Sequence, residues 1–319
     1  MPPPLPATPP GPAVRLTNVT KTFGAHTAVD QLSLAVPRGC TYGFIGPNGS
    51  GKTTTIRTIL HIFHPDSGEV EVLGERSTRA ANDRIGYLPE ERGLYKKMTV
   101  RRVLAYYAAL KGMTRAATAQ ASTHWLAKMG LSEWADKKVE ALSKGMAQKI
   151  QFISAVIAKP ELLILDEPFS GLDPVNLEVL RAAILELRAA GTTVIFSTHD
   201  MAMAETMCDF IFMIYRGRKV LDGTLADIQR QFGEDTVRVS CAGGAELLRG
   251  LPDVELVRDL GQVQELRHRD PQALLRELAP RTTVTHFEIC KPSLHDIFIR
   301  IAQPHASELK AAKTTGGGS

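Results

Sequence analysis

The sequence predicts an α/β fold, a parallel-rich sheet core with a helical insertion, followed by a small α+β domain in its last third. Three observations predict it. Short β-branched runs alternate with helical patterns through the first two thirds of the chain. Two of those runs, Leu162–Leu165 and Thr193–Ser197, are almost continuously apolar, as expected of strands covered on both faces. After Gly223 the elements follow the order βαββαβ, that of a split βαβ unit.

Taken in order, residues 1–12 (MPPPLPATPPGP) are too rich in proline to pack, because proline removes donors and fixes φ. They are expected to form a disordered, extended arm. The domain set at 13–224 has candidate strands at Val14–Val19, Leu32–Val36, Thr41–Ile45, Gly68–Leu73, Arg84–Leu88, Leu162–Leu165, Thr193–Ser197 and Phe210–Tyr215. From Thr99 to about Ala141 the chain is Ala-rich and amphipathic, broken at Gly112 and Gly130, and reads as a helical subdomain within about 97–158. The second domain, 225–303, has strands at Thr236–Cys241, Val254–Asp259, Val263–His268 and Thr283–Cys290. Its helices are at Ala245–Leu251, Pro271–Ala279 and Ser293–Ile301. Residues 304–319 end in TTGGGS and read as a flexible tail.

Composition narrows the class. The chain has 319 residues, 44% of them apolar, enough for a sizeable core and against disorder. Thirty-eight Lys and Arg against 34 Asp and Glu give +4, too mild to argue for nucleic acid. The longest apolar runs are of strand length, well short of the ~18–20 residues of a spanning helix, so the chain is expected not to cross a membrane itself. Its start has no basic and apolar leader pattern. The four cysteines are scattered, with no CxxC and no His at ligand spacing, which points away from zinc and disulfides and toward a reducing cytoplasm.

The chemistry begins at Gly46-Pro47-Asn48-Gly49-Ser50-Gly51-Lys52-Thr53, a match to G-x-x-x-x-G-K-[ST] placed between the strand Thr41–Ile45 and a helical run from Thr54 to Ile62. In such a loop glycines let consecutive N–H groups converge on phosphate oxygens, and the helix N-terminus adds its positive end. Lys52 is placed to reach the β- and γ-phosphates and the Thr53 hydroxyl to ligate Mg²⁺. The run Leu162-Leu163-Ile164-Leu165-Asp166-Glu167-Pro168 is an apolar strand ending in two acids, at the end where open α/β sheets bind ligands. Asp166 can hold Mg²⁺, and Glu167, on the opposite side of the strand, can polarise an attacking water.

With these residues the chain from about Val14 to Gly223 resembles the nucleotide-binding subunit of an ATP-binding-cassette (ABC) transporter. Six features occur in family order: the Walker A loop 46–53; a Q-loop-like Gly86-Tyr87-Leu88-Pro89-Glu90; a signature-like Leu142-Ser143-Lys144-Gly145-Met146; Walker B at 162–167; a D-loop Ser170-Gly171-Leu172-Asp173; and a switch histidine in Ser197-Thr198-His199. The resemblance implies a P-loop NTPase fold with an antiparallel β subdomain, ATP and Mg²⁺ as ligands, and ATP hydrolysis coupled to transport. It implies that Phe23 stacks on adenine, that Thr54 joins the 46–53 loop at the nucleotide, and that His199 contacts the γ-phosphate. It further implies a head-to-tail dimer in which Ser143 and Gly145 of one subunit complete the site built on Lys52 of the other, with Asp173 bridging the pair. The expected setting is the cytoplasmic face of the membrane, beside a separate integral membrane permease.

Two motifs depart from the family pattern. The signature has LSKGM for LSGGQ, keeping the hydroxyl and the close backbone but adding a cation at Lys144. The Q-loop has Glu90 for Gln, which still offers an oxygen to Mg²⁺ but adds negative charge. The LPEERGLY and LSKGM segments, with Pro292-Ser293-Leu294-His295-Asp296-Ile297-Phe298, are similar to the exporter subset that includes sodium-extrusion and drug-resistance types. Basic pairs at Lys96-Lys97, Arg101-Arg102 and Lys137-Lys138 flank the helical insertion. They read either as a solvated face or as a surface toward the membrane partner. The alternative is a soluble ABC protein acting on nucleic acid or the ribosome. Against it, the chain has one cassette and no long coiled-coil insertion.

Overall fold

The computed structural model describes residues 11–76, 81–91, 93–232 and 236–301. The Pro-rich arm over 1–10, Arg92 of the Q-loop segment and the 304–319 tail lie outside the described residues. The chain divides into two compact units between Gly223 and Thr224.

The first unit contains two sheets. One is antiparallel, with β1 (Val14–Phe23), β2 (His26–Val36) and β4 (Ser67–Val72) in the order β2-β1-β4. The other has six strands: β3 (Thr41–Ile45), β5 (Ile85–Leu88), β6 (Leu162–Asp166), β7 (Thr193–Thr198), β8 (Phe210–Tyr215) and β9 (Arg218–Gly223). Their order is β5-β6-β7-β3-β8-β9, all pairs parallel except the last. Every residue of β3, β6 and β7 is buried. Because side chains alternate along a strand, β6 sends Leu162 and Ile164 into one core, shared with the antiparallel sheet and Ile56 and Ile59. It sends Leu163 and Leu165 into another, shared with the helical insertion.

Six helices accompany these strands: α1 (Lys52–Ile59), α2 (Val100–Leu110), α3 (Arg115–Lys128), α4 (Lys144–Val156), α5 (Pro174–Ala189) and α6 (Met201–Met207). The insertion breaks where its glycines predict. Gly112 (φ 72°) and Gly130 (φ 67°) adopt the left-handed conformation just past α2 and α3, and Thr99 and Thr114 cap the starts of those helices.

The second unit contains an antiparallel sheet of β10 (Thr236–Cys241), β11 (Glu255–Asp259), β12 (Gln264–Arg267) and β13 (Val284–Cys290), in the order β11-β12-β10-β13. Val237, Val239 and Leu266 from the sheet form a separate core with Leu248 of α8 (Gly244–Arg249) and Leu274 and Leu278 of α9 (Pro271–Leu278). A last helix spans 294–301.

Several elements differ from the sequence expectation: β1 runs past Val19 to Phe23, and α1 spans Lys52–Ile59 in place of Thr54–Ile62. β2 begins six residues earlier than Leu32, and the irregularity at Gln31 (φ 47°) breaks the alternation by which the sequence would have shown it. β9 is a polar edge strand whose charged residues hide it. Helix α7 (Leu225–Phe232) is eight residues long and half polar. Leu225, Ile228 and Phe232 mark one face, and Ile228 is buried.

Candidate functional site

The site lies at the carboxyl ends of β6, β7 and β3, which are adjacent parallel strands, so three segments far apart in sequence meet at one edge. After β3 the chain turns through Gly46 to Gly51. A Cβ on Gly46 would lie 2.3 Å from the Ile214 carbonyl oxygen, and one on Gly51 would lie 2.5 Å from that of Ala28, so no side chain fits at either position. Lys52 opens α1. Its Nζ is buried and donates to the carbonyls of Gly46 (2.7 Å) and Pro47 (3.1 Å), 3.8 Å from Glu167 Oε1. Burial pushes its pKa down, while the carboxylates of Glu167, Asp166 and Glu90 oppose that shift.

Asp166 ends β6 with no solvent exposure. Its Oδ1 accepts from Ser197 Oγ at 2.5 Å and from Thr53 Oγ1 at 3.2 Å. Its Oδ2 is buried without a hydrogen-bond partner among the described residues. Glu167 follows in the left-handed region (φ 49°), a strained backbone for a side chain of this size. Its N–H donates to the same Ser197 hydroxyl at 3.0 Å. The Glu167 carboxylate lies 3.1 and 3.2 Å from His199 Nδ1. Burial raises the Glu167 pKa, and His199 and Lys52 pull it back.

Of these groups Lys52, Thr53 and Glu167 border a cleft of about 460 Å³ whose walls also include Phe23, Thr54 and Glu90, and Asp166 and Ser197 are buried behind it. Asn48, Gly49 and Gly51 contribute the loop wall. Phe23 is 44% exposed at the tip of β1, with Phe63 edge-on at 5.2 Å and Lys21 Nζ 5.5 Å from its ring. Asp66 fixes that tip by accepting from Lys21 Nζ (2.8 Å) and from the N–H and hydroxyl of Thr22 (2.6 Å each), and these donors hold its carboxyl down at about 2. Sequence reasoning missed His26, which also lines the cleft as the cross-strand partner of Phe23. The Gly24 turn three residues after Lys21 was the available signal.

Ser143, Gly145 and Asp173 lie outside this cleft. Ser143 caps α4, accepting from the Met146 N–H at 3.2 Å, and stays exposed. Asp173 caps α5, accepting from the Asn176 N–H at 3.0 Å and from its side-chain amide, which holds its pKa down. The two helix starts touch: a Cβ on Gly145 would lie 3.2 Å from Asn176 Nδ2, and the Lys144 side chain covers Gly171.

Residues 29–170 match the family model described as ABC transporter. A Bacillus subtilis (strain 168) protein described as the uncharacterized ABC transporter ATP-binding protein YhaQ is 42% identical over 287 residues, 89% of this chain and 96% of its own length. The chain belongs to the ABC transporter ATP-binding family. Residues 223–302 also match the model described as ATP-binding protein DrrA1-3-like, C-terminal domain. Among other relatives of this ABC protein, the Nod factor export ATP-binding protein I of Sinorhizobium fredii (strain NBRC 101917 / NGR234) is 34% identical over 91% of this chain and 85% of its own. The linearmycin resistance ATP-binding protein LnrL of Bacillus subtilis (strain 168) is 30% identical over 89% and 96%. A solved structure described as the ATP binding subunit of an ABC transporter superposes with a TM-score of 0.65 at 32% identity, covering 69% of this chain and 93% of the other. ABC ATP-binding domains are ATPases, and the cleft of this one is lined by the glycine-rich 48–51 turn, Lys52, Glu90 and Glu167.

Proposed function

We propose that this ABC ATPase drives a separate, membrane-embedded export permease, working as a head-to-tail pair on two Mg·ATP at the cytoplasmic face of the membrane. The observation that carries the hydrolytic reading is the convergence of Lys52 and His199 on Glu167 at 3.1–3.8 Å, with Asp166 joined to the Glu167 N–H through the Ser197 hydroxyl. The donor set fits Mg²⁺. Thr53 Oγ1 and Asp166 are hard oxygen donors, Asp166 Oδ2 is buried and unpartnered, and Glu90 lies in the same wall. Among the described residues no group of three or more His, Cys, Asp or Glu could hold a metal. This suits an ion that keeps water and phosphate in most of its shell. When bound, Mg²⁺ would neutralise charge on the β- and γ-phosphate oxygens.

The chain's own groups divide the remaining work. The backbone N–H groups of the 46–54 segment, Pro47 excepted, and the Lys52 ammonium bind phosphates, and the exposed face of Phe23 stacks on the base. Glu167 takes a proton from the attacking water, with its carboxylate oriented by His199 Nδ1. Ser143 and Gly145 head α4 outside their own cleft, and Asp173 heads α5 beside them. There they can meet the nucleotide and the surface of a second copy.

No helix among the described residues is long and apolar enough to cross a membrane, so the permease is a separate partner in this reading. A groove of about 330 Å³ bordered by Ile62, Tyr107, Leu110 and Gly86 suits an apolar permease segment, and it adjoins β5, the strand that leads to Glu90. Export is the direction printed in the name of the Nod factor relative. The test is copurification and phosphate release: a polytopic membrane protein that stimulates ATP hydrolysis supports the proposal, whereas capture of ribosomes or nucleic acid favours a soluble role.

Two predictions belong to this reading. Glu90→Ala is expected to leave Mg·ATP affinity within about twofold, to lower the hydrolysis rate about tenfold, and to lose most stimulation by the permease. Glu90→Gln, which keeps one oxygen, should stay within tenfold of the parent, about 1.4 kcal/mol in barrier. Parent-like hydrolysis and transport with Ala at 90 would reduce Glu90 to a solvated loop acid. A chain ending at Gly223 is expected to remain folded and to bind ATP, because Lys52, Asp166, Glu167 and His199 and both of their cores precede that point. Aggregation of the shortened chain, with loss of nucleotide binding, would contradict this.

A further inference from the structure

Helix α4 carries two glutamines one turn apart, Gln148 and Gln151, only 3% and 5% exposed. Both amides leave the helix for loops of the ATP cleft. Gln148 Nε2 donates to the Pro168 carbonyl at 3.1 Å, the carbonyl one residue beyond Glu167. Gln151 Nε2 donates to the carbonyls of Pro89 and Glu91, each at 3.1 Å, and these bracket Glu90. A buried amide weakens a core unless its hydrogen bonds are made, so an apolar side chain would serve packing better at this position. Residues 89–91 belong to no helix or strand, and they receive these side-chain bonds in place of a ladder. The helix lies hard against the strand that leads into them: a Cβ on Gly86 of β5 would be 2.3 Å from the Ala155 carbonyl oxygen.

We infer that Gln151 is the positioning residue for Glu90. Its amide ties the backbone on both sides of that carboxylate to the helix headed by Ser143, so the acid in the cleft wall and the signature move as one body. The inference rests on the reading of Glu90 as the group that faces Mg²⁺ or the attacking water. Gln151 itself is not in the wall of the cleft and acts only through the loop.

The test is a double-mutant cycle in the full-length chain, with Gln151→Met, Glu90→Ala and both together. Met preserves length and volume and removes both N–H donors. Three quantities are measured: Mg·ATP affinity, kcat and KM for hydrolysis, and amide hydrogen exchange over residues 88–91. Gln151→Met is expected to hold affinity and KM within about twofold, to lower kcat about tenfold, as a small misplacement of a reacting group does, and to speed exchange over 88–91. In the Glu90→Ala background the same change should alter kcat by less than about twofold, since the two residues act as a unit. An equal kcat loss in both backgrounds would show that Gln151 acts elsewhere and overturn the inference. A parent-like Gln151→Met beside an impaired Glu90→Ala would overturn it and leave the Glu90 reading intact. A parent-like Glu90→Ala would end the Glu90 reading and the inference with it. If Gln151→Met does not fold, Gln151→Asn, which keeps the amide but withdraws it by one methylene, enters the same cycle with the same outcomes.

Discussion

Replacing Glu167 with Gln is expected to leave Mg·ATP binding intact while slowing hydrolysis about 10²–10⁴-fold, the usual worth of a positioned general base. The carboxylate is buried beside Lys52 and His199, so its environment sets both its position and its readiness to take a proton. Gln has the same shape, and the backbone bond from residue 167 to Ser197 does not depend on the side chain, so the strained turn should survive. What is lost is the acceptor for the water's proton. In the proposed head-to-tail pair hydrolysis would open the dimer, so the variant should run as a stable dimer with Mg·ATP on size exclusion. Hydrolysis within tenfold of the parent would remove Glu167 from the base role, and a monomer under those conditions would contradict the composite site.

Lys52→Ala is expected to abolish productive ATP binding, with at least about 10²-fold loss of affinity, since charge-assisted contacts to phosphate are among the strongest in a site. Two effects add. The side chain supplies the mobile cation that can exchange the carbonyls of Gly46 and Pro47 for phosphate oxygens. Its removal also leaves the negative charges of Glu167, Asp166 and Glu90 without the ammonium they surround, and that field repels a polyphosphate. Unchanged affinity in a nucleotide titration would count decisively against this site.

The residues that form the centre of the site were legible because each lies in a short linear segment whose local geometry suffices. The turn 46–51 needs glycine, Asp166 and Glu167 end an apolar strand, and His199 follows another. Their common location follows from the parallel order of β6, β7 and β3, which fixes where three strand ends meet. The supporting contacts were not legible. Ser197 stands next but one to His199 in sequence, but its hydroxyl serves Asp166 and the Glu167 N–H, partners about 30 residues away. Asp66 reaches the tip of β1 across the antiparallel sheet, and Gln151 looks in sequence like a polar position on a helix. Side-chain bonds between distant segments leave no periodicity to read. β9 is hidden by its polar residues, which conceal the buried Leu221, and α7 by its shortness, since its apolar face spans only two turns.

The two-sided burial of β6 changes what sets its alignment. A strand with one wet face resists a one-residue slip because the slip would expose its apolar residues. In β6 a slip merely exchanges Leu and Ile between two oily compartments, a weak penalty. The polar end must therefore supply the positional reference. Asp166 pairs with Ser197 across the β6–β7 ladder and locks to its hydroxyl, and displacement by one residue would forfeit that bond and the one to Thr53. Asp166, the acid proposed to hold Mg²⁺, thus acts as the index mark of the strand. Redesigning the β6 interior for heat resistance can proceed freely among aliphatic residues, whereas neutralising Asp166 risks a misaligned but fully compact protein.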